Sequence, residues 1–143
     1  METKTEYQKI KEKYKLPSFE YMDNEFEVSA IKIPDSGVFI KAILRAINNK
    51  VGLIINYLEP IITPQQTMHS MIELNGINED EKKDIYLLYK ALGLIYHNLC
   101  LVELEAEEKI AEQINKTTKE WSKLKLKIII CLNMINKTWE KVD

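Results

Sequence analysis

Apolar residues recur along this chain at spacings of three and four, the period of a helix face, and no credible strand appears. The first segment, residues 3–14, is rich in charge, with Tyr7, Ile10 and Tyr14 forming one thin apolar stripe. A stripe this narrow predicts a peripheral helix, residues 1–15, that packs loosely. Pro17 ends it, and Ser18 offers an N-cap to a short helix through Phe26 whose buried face is Phe19, Met22 and Phe26. The cluster Pro34-Asp35-Ser36-Gly37 then reads as a turn and cap opening the most hydrophobic helix, residues 37–59.

At about 100° per residue, residues 38–59 place Phe39, Ile40, Ile43, Leu44, Ala46, Ile47, Val51, Leu53, Ile54, Ile55, Tyr57 and Leu58 on one wide arc. Lys41, Arg45, Asn48, Asn49, Asn56 and Glu59 take the other side. The arc is wider than a surface helix needs, which predicts a helix that is central or shared with a partner. Its candidate interface is Phe39, Ile43, Lys50, Leu53 and Tyr57. Lys50 falls inside the apolar arc, as a lysine does when its stem lies along apolar surface and its amine reaches water. Six charged or amide side chains within residues 41–56 exclude this helix as a membrane span.

Glu59-Pro60 predicts the end of that helix, and Thr63-Pro64 the start of a short one running to Asn75, with Met68, Met71, Ile72 and Asn75 on one side and a turn at Gly76. Asn78 and Glu81 have the spacing of a capping box. From there Ile85, Leu88, Leu92, Ile95, Leu99, Val102, Ala106, Ile110 and Ile114 continue one stripe, which predicts a helix over 79–115 about 55 Å long. Thr117 with Glu120 repeats the capping-box spacing and predicts a last helix over 118–141. Its apolar face is Trp121, Leu124, Ile128, Cys131, Leu132, Ile135, Trp139 and Val142. The expectation is therefore an all-α bundle of five or six helices, three of them long, in a single domain over 1–143.

With 143 residues, 45% hydrophobic, 29% charged, and only 4 Gly and 4 Pro, the composition supports a real core and long elements with few turns. The opening residues carry no apolar run, so no secretory signal is expected and the expected location is cytoplasmic. Cys100 and Cys131 lie within apolar stripes and read as buried free thiols. Net charge is -2, but it is unevenly spread: residues 79–112 hold nine acids against four lysines, whereas residues 113–143 hold seven lysines against three acids. Lys116, Lys119, Lys123 and Lys127 form a stripe that could meet phosphates, making nucleic acid an alternative partner. Against it stand the acidic total, a single arginine at Arg45, and tryptophans on the apolar side.

Catalytic chemistry is thin. Glu81 with Asp84 and Glu105 with Glu108 have the spacing used by metal-dependent nucleotide hydrolases, but on one long helix they would stand about 36 Å apart. Only a site assembled across a dimer would join them. His69 with Glu73, and His97 with Cys100, could each supply two metal ligands, and neither shows a third. No phosphate-cradling glycine loop or nucleophile elbow occurs. The chain therefore reads as a non-enzymatic helical interaction module, self-associating or docking on a protein, with no catalytic residue, metal or cofactor assigned and no membrane partner expected.

The run Leu16-Pro17-Ser18-Phe19-Glu20-Tyr21-Met22-Asp23-Asn24-Glu25-Phe26-Glu27 resembles the opening of a group of small archaeal all-helical proteins to which no activity is attached. Arg45 in its apolar helix, Glu79-Asp80-Glu81-Lys82-Lys83 before Leu87-Leu88-Tyr89-Lys90, and the lysines around Trp121 extend the likeness. It implies an archaeal, cytoplasmic origin and carries no activity over.

Overall fold

The computed structural model describes residues 3–32 and 39–142. The fold is all-α: six α-helices and one 3₁₀ turn, with no strand among the described residues. In order these are α1 (Thr3–Tyr14), α2 (Phe19–Phe26), the turn Val28–Ala30, α3 (Phe39–Ile62), α4 (Met68–Asn75), α5 (Glu79–Val102) and α6 (Glu107–Glu140). The cluster Pro34-Asp35-Ser36-Gly37 lies outside the described residues. Two compact units divide them. The first gathers the chain up to Val51 with Ile95–Glu120, and the second gathers Gly52–Leu94 with the chain from Trp121 onward.

In the first unit, local chemistry sets α1 and α2 where the spacing predicts. Ser18 caps α2 by accepting from the Tyr21 amide at 3.1 Å. Lys15 and Glu27 close the two helices in the left-handed region at φ 54° and 56°, so the amides of Leu16 and Glu27 satisfy orphan carbonyls of Lys11 and Asp23. Of the thin apolar stripe of α1, Tyr7 alone is buried. Tyr7 is fully buried, donates its hydroxyl to the Pro17 carbonyl at 2.6 Å, and meets the Phe19 ring edge-on at 5.7 Å. That burial pushes the Tyr7 phenol up from its ordinary range. One buried aromatic and its hydrogen bond anchor a helix whose other residues are mostly polar.

Also in this unit, Ile40, Ile43, Leu44 and Ile47 of α3 are buried together with Leu99 of α5 and Ile110 and Ile114 of α6. The predicted 79–115 helix is interrupted: the chain turns over residues 103–106 through successive i+3 hydrogen bonds, Leu104 to Leu101 and Glu105 to Val102. Arg45 meets Glu103 at 2.6 Å, and the Tyr14 hydroxyl meets Glu107 at 2.8 Å, pinning both sides of that turn. The predicted boundary at Thr117 is instead helix interior. Thr117 is fully buried, accepting from Gln113 at 3.0 Å, and the Thr118 hydroxyl bonds back to the Asn115 carbonyl at 3.0 Å. A threonine can satisfy its hydroxyl this way inside a helix, so a cap spacing does not require a cap.

In the second unit, α3 continues through Pro60 to Ile62 rather than ending at Glu59. Proline lacks the N–H that would reach Asn56, a loss of about 3 kcal/mol in a helix interior. The continuation buries Ile61 in series with Ile54 and Leu58, and Thr63 donates to the Glu59 carbonyl at 2.8 Å. Because Thr63 is bonded to α3, it cannot cap α4; Thr67 does so, accepting from the Ser70 amide at 3.1 Å. The α4 face is also inverted relative to the expectation. Met68 and Met71 are exposed, while Ser70 and Glu73 are buried. The Asn78–Glu81 capping box forms in both directions, at 2.8 and 3.1 Å, as its spacing predicts. Ile85, Leu88, Leu92, Trp121, Ile128, Cys131 and Ile135 complete the buried set.

Candidate functional site

Two surface features of the second unit carry recognisable chemistry. The first is an apolar groove of about 260 Å³ between α5 and α6. Leu87, Leu88 and Ala91 line it from α5, and Leu124, Ile130 and Cys131 from α6. Helical spacing explains the lining: positions 84, 87, 88 and 91 share one face of α5, and positions 124, 127 and 131 share one face of α6. Leu87 is 53% exposed and Ile130 46% exposed, so the groove opens to solvent rather than closing as core. Asp84 stands on its α5 side and Lys127 on its α6 side, giving the groove opposite charges at its two walls. Burial, and next the Asp84 carboxylate, push the Cys131 thiol above its ordinary range.

The wider surface of α5 fits the same picture. Among the described residues it is the one helix long and apolar enough to cross a membrane, and only 28% of that stretch is buried. Lys90, His97 and Asn98 interrupt it. A helix of this apolarity that served only as core would be mostly buried, so part of its apolar surface is left without a partner.

The second feature is a cavity of about 330 Å³ lined from α3, α4 and α6. Glu73 of α4, 4% exposed, receives the Trp139 indole N–H at 2.8 Å and faces His69 Nε2 at 3.4 Å, both through Oε2. The His69 and Trp139 rings lie 4.9 Å apart, tilted by 55°. Asn56, Tyr57 and Pro60 line it from α3, and Leu132, Ile135 and Asn136 from α6.

The candidate interface on α3 divides. Phe39 and Ile43 are buried in the first unit and are used up in its core. Lys50 is half-buried, as its place in the apolar arc predicts. Leu53 and Tyr57 are exposed in the second unit, where Tyr57 joins the cavity. Lys116, Lys119, Lys123 and Lys127 are all exposed, and none forms an ion pair with a described residue.

Cys100 departs from expectation, being exposed on α5 with its sulfur accepting from Asn48 at 3.4 Å. Its partner in the ligand pair, His97, is exposed as well. Glu81 is engaged in the capping box, and Glu105 and Glu108 are exposed. Among the described residues no group of three His, Cys, Asp or Glu stands together as a metal site. The sequence singled out the His69–Glu73 spacing but not Trp139, 66 positions from Glu73, or the placing of Asp84 and Lys127 on one groove. An apolar-face tryptophan near the chain end was the available signal for the first. No signal marked the second. No family model, no curated protein and no solved structure matches the chain.

Proposed function

We propose that the protein is a non-enzymatic helical interaction module that self-associates through the α5–α6 groove of its second unit. The open groove lined by apolar residues of α5 and α6 carries this reading, because a further amphipathic helix is what fills such a space. A second copy of the chain supplies one. In a two-fold arrangement the same patch faces itself, so residue pairs across the axis are reciprocal. Asp84 on one wall and Lys127 on the other are the complement of each other, and the axis brings each copy's Asp84 toward the other's Lys127. Leu87 and Ile130, left half-exposed in a single chain, supply the desolvated centre. The acidic block over 79–112 and the basic block over 113–143 favour the same two-fold approach.

Charge reversal tests the register. Asp84→Lys alone sets lysines against lysines and weakens association about fivefold or more, measured by sedimentation equilibrium. Asp84→Lys combined with Lys127→Asp restores it. A pair of single variants whose effects simply add in the double variant would contradict this register.

A second reading, association with nucleic acid, is favoured by the exposure of Lys116, Lys119, Lys123 and Lys127, none of which forms an ion pair with a described residue. It predicts binding to an oligonucleotide that falls steeply with salt and is lost in the Lys119→Glu, Lys123→Glu, Lys127→Glu triple variant. The acidic total weighs against it.

A further inference from the structure

The geometry points to a binding site for an organic ammonium ion in the cavity of the second unit, with Glu73 as counter-ion and Trp139 and Tyr57 as aromatic walls. The carboxylate of Glu73 is almost wholly buried, and both protein groups that address it, Trp139 Nε1 and His69 Nε2, meet the same oxygen, Oε2. Among the described residues no donor meets Oε1, and no lysine or arginine pairs with Glu73. With Oε2 engaged by Trp139 and His69, Oε1 is the oxygen left for a cation entering the cavity.

The rest of the lining selects the kind of cation. His69 is the one basic side chain in the lining, and it already faces the Glu73 carboxylate at 3.4 Å, so it is not free to hold an anion. A small inorganic cation needs several oxygen ligands, and Glu73 is the sole carboxylate in the lining. Tyr57 and Trp139 place aromatic side chains in the lining, the kind of group that attracts alkylammonium ions. Leu132 and Ile135 receive an alkyl portion, and Asn56 and Asn136 offer amide oxygens to any N–H the ligand carries. At about 330 Å³ the cavity holds a group the size of choline or of a lysine side-chain end. This site is separate from the α5–α6 groove and does not depend on self-association.

Two indole N–H resonances in a ¹⁵N-labelled full-length chain read the site directly, because Trp139 lines the cavity and Trp121 does not. The probes are choline chloride, n-butylammonium chloride, and 3,3-dimethyl-1-butanol, the neutral isostere of choline, each at matched ionic strength. The expected result is a saturable shift of the Trp139 resonance with an ammonium probe, none with the alcohol, and a Trp121 resonance that stays in place. Response to choline alone assigns a quaternary ammonium ligand, and response to both assigns alkylammonium groups in general.

Glu73→Gln keeps an acceptor for Trp139 but removes the charge, and weakens binding about tenfold or more. Tyr57→Leu, at a half-exposed position, weakens it as well. An equal response to choline and its neutral isostere, unchanged affinity in both variants, or no saturation up to about 50 mM of either ammonium would overturn the proposal.

Discussion

The indole N–H of Trp139 donates to the buried carboxylate of Glu73 at 2.8 Å, joining the end of α6 to a short helix 66 residues earlier in the chain. This bond is an anchor for α4 in the second unit, since both methionines of that helix face solvent. Glu73→Ala leaves the indole N–H without its acceptor and costs about 2 kcal/mol. Glu73→Gln retains an acceptor and loses less than half as much. Urea unfolding of the three proteins measures the difference, and equal losses in the two variants would contradict the role given to this bond.

Two glycines of the same unit predict opposite outcomes from one substitution. A Cβ at Gly76 would stand 2.6 Å from Thr138 Cγ2 and 2.7 Å from Thr138 Cβ, against a buried side chain whose hydroxyl is already bonded to the Ile135 carbonyl. Gly76→Ala therefore overpacks the site and destabilises by about 1–3 kcal/mol. Gly93 lies inside α5 with nothing within 4 Å of an added Cβ. Gly93→Ala gains helix propensity and stabilises by about 0.5–1 kcal/mol. Thermal denaturation reads both.

In the first unit, Asp23 accepts from Ser29 and holds the turn after α2, with the Ser29 amide at 2.9 Å. Hydrogen bonds from the Ser29 side chain, and next its backbone N–H, keep the Asp23 carboxyl below its ordinary value of 3.8. A lowered folded-state value means the contribution to stability is fully present above pH 3.8 and is lost as pH falls through the lower folded-state value. Asp23→Asn is accordingly less stable than the parent at pH 6, and the gap closes as pH drops below 3.8. A gap that stays constant across melting curves from pH 6 to pH 2 would contradict this.

How far the sequence could be read depended on the range of the interactions involved. Ser18 before α2 and the Asn78–Glu81 box are bonds between residues three apart, so spacing alone locates them. The face of α3 that buries Ile40, Ile43, Leu44 and Ile47 was equally legible, because it follows from helical period. Pro60 inside α3 was not, since burial of Ile61 and its neighbours decides the matter. Nor was the turn at residues 103–106, which has no glycine, proline or side-chain cap and is fixed by Arg45 and Tyr14 from far along the chain. Thr117 and Thr118 misled in the opposite direction, their hydroxyls being satisfied within α6. At the candidate sites, the His69–Glu73 spacing was visible, but its inward direction depends on Trp139.

Self-association through the α5–α6 groove is tested most directly by light-scattering mass on a sizing column, run across a range of protein concentrations on the parent chain and on Leu87→Glu. The account predicts a parent mass that rises toward twice the 16.8 kDa of one chain with concentration, and a Leu87→Glu variant that stays at one chain throughout. A parent protein that remains a strict monomer, or a Leu87→Glu variant that dimerises as well as the parent, would contradict it.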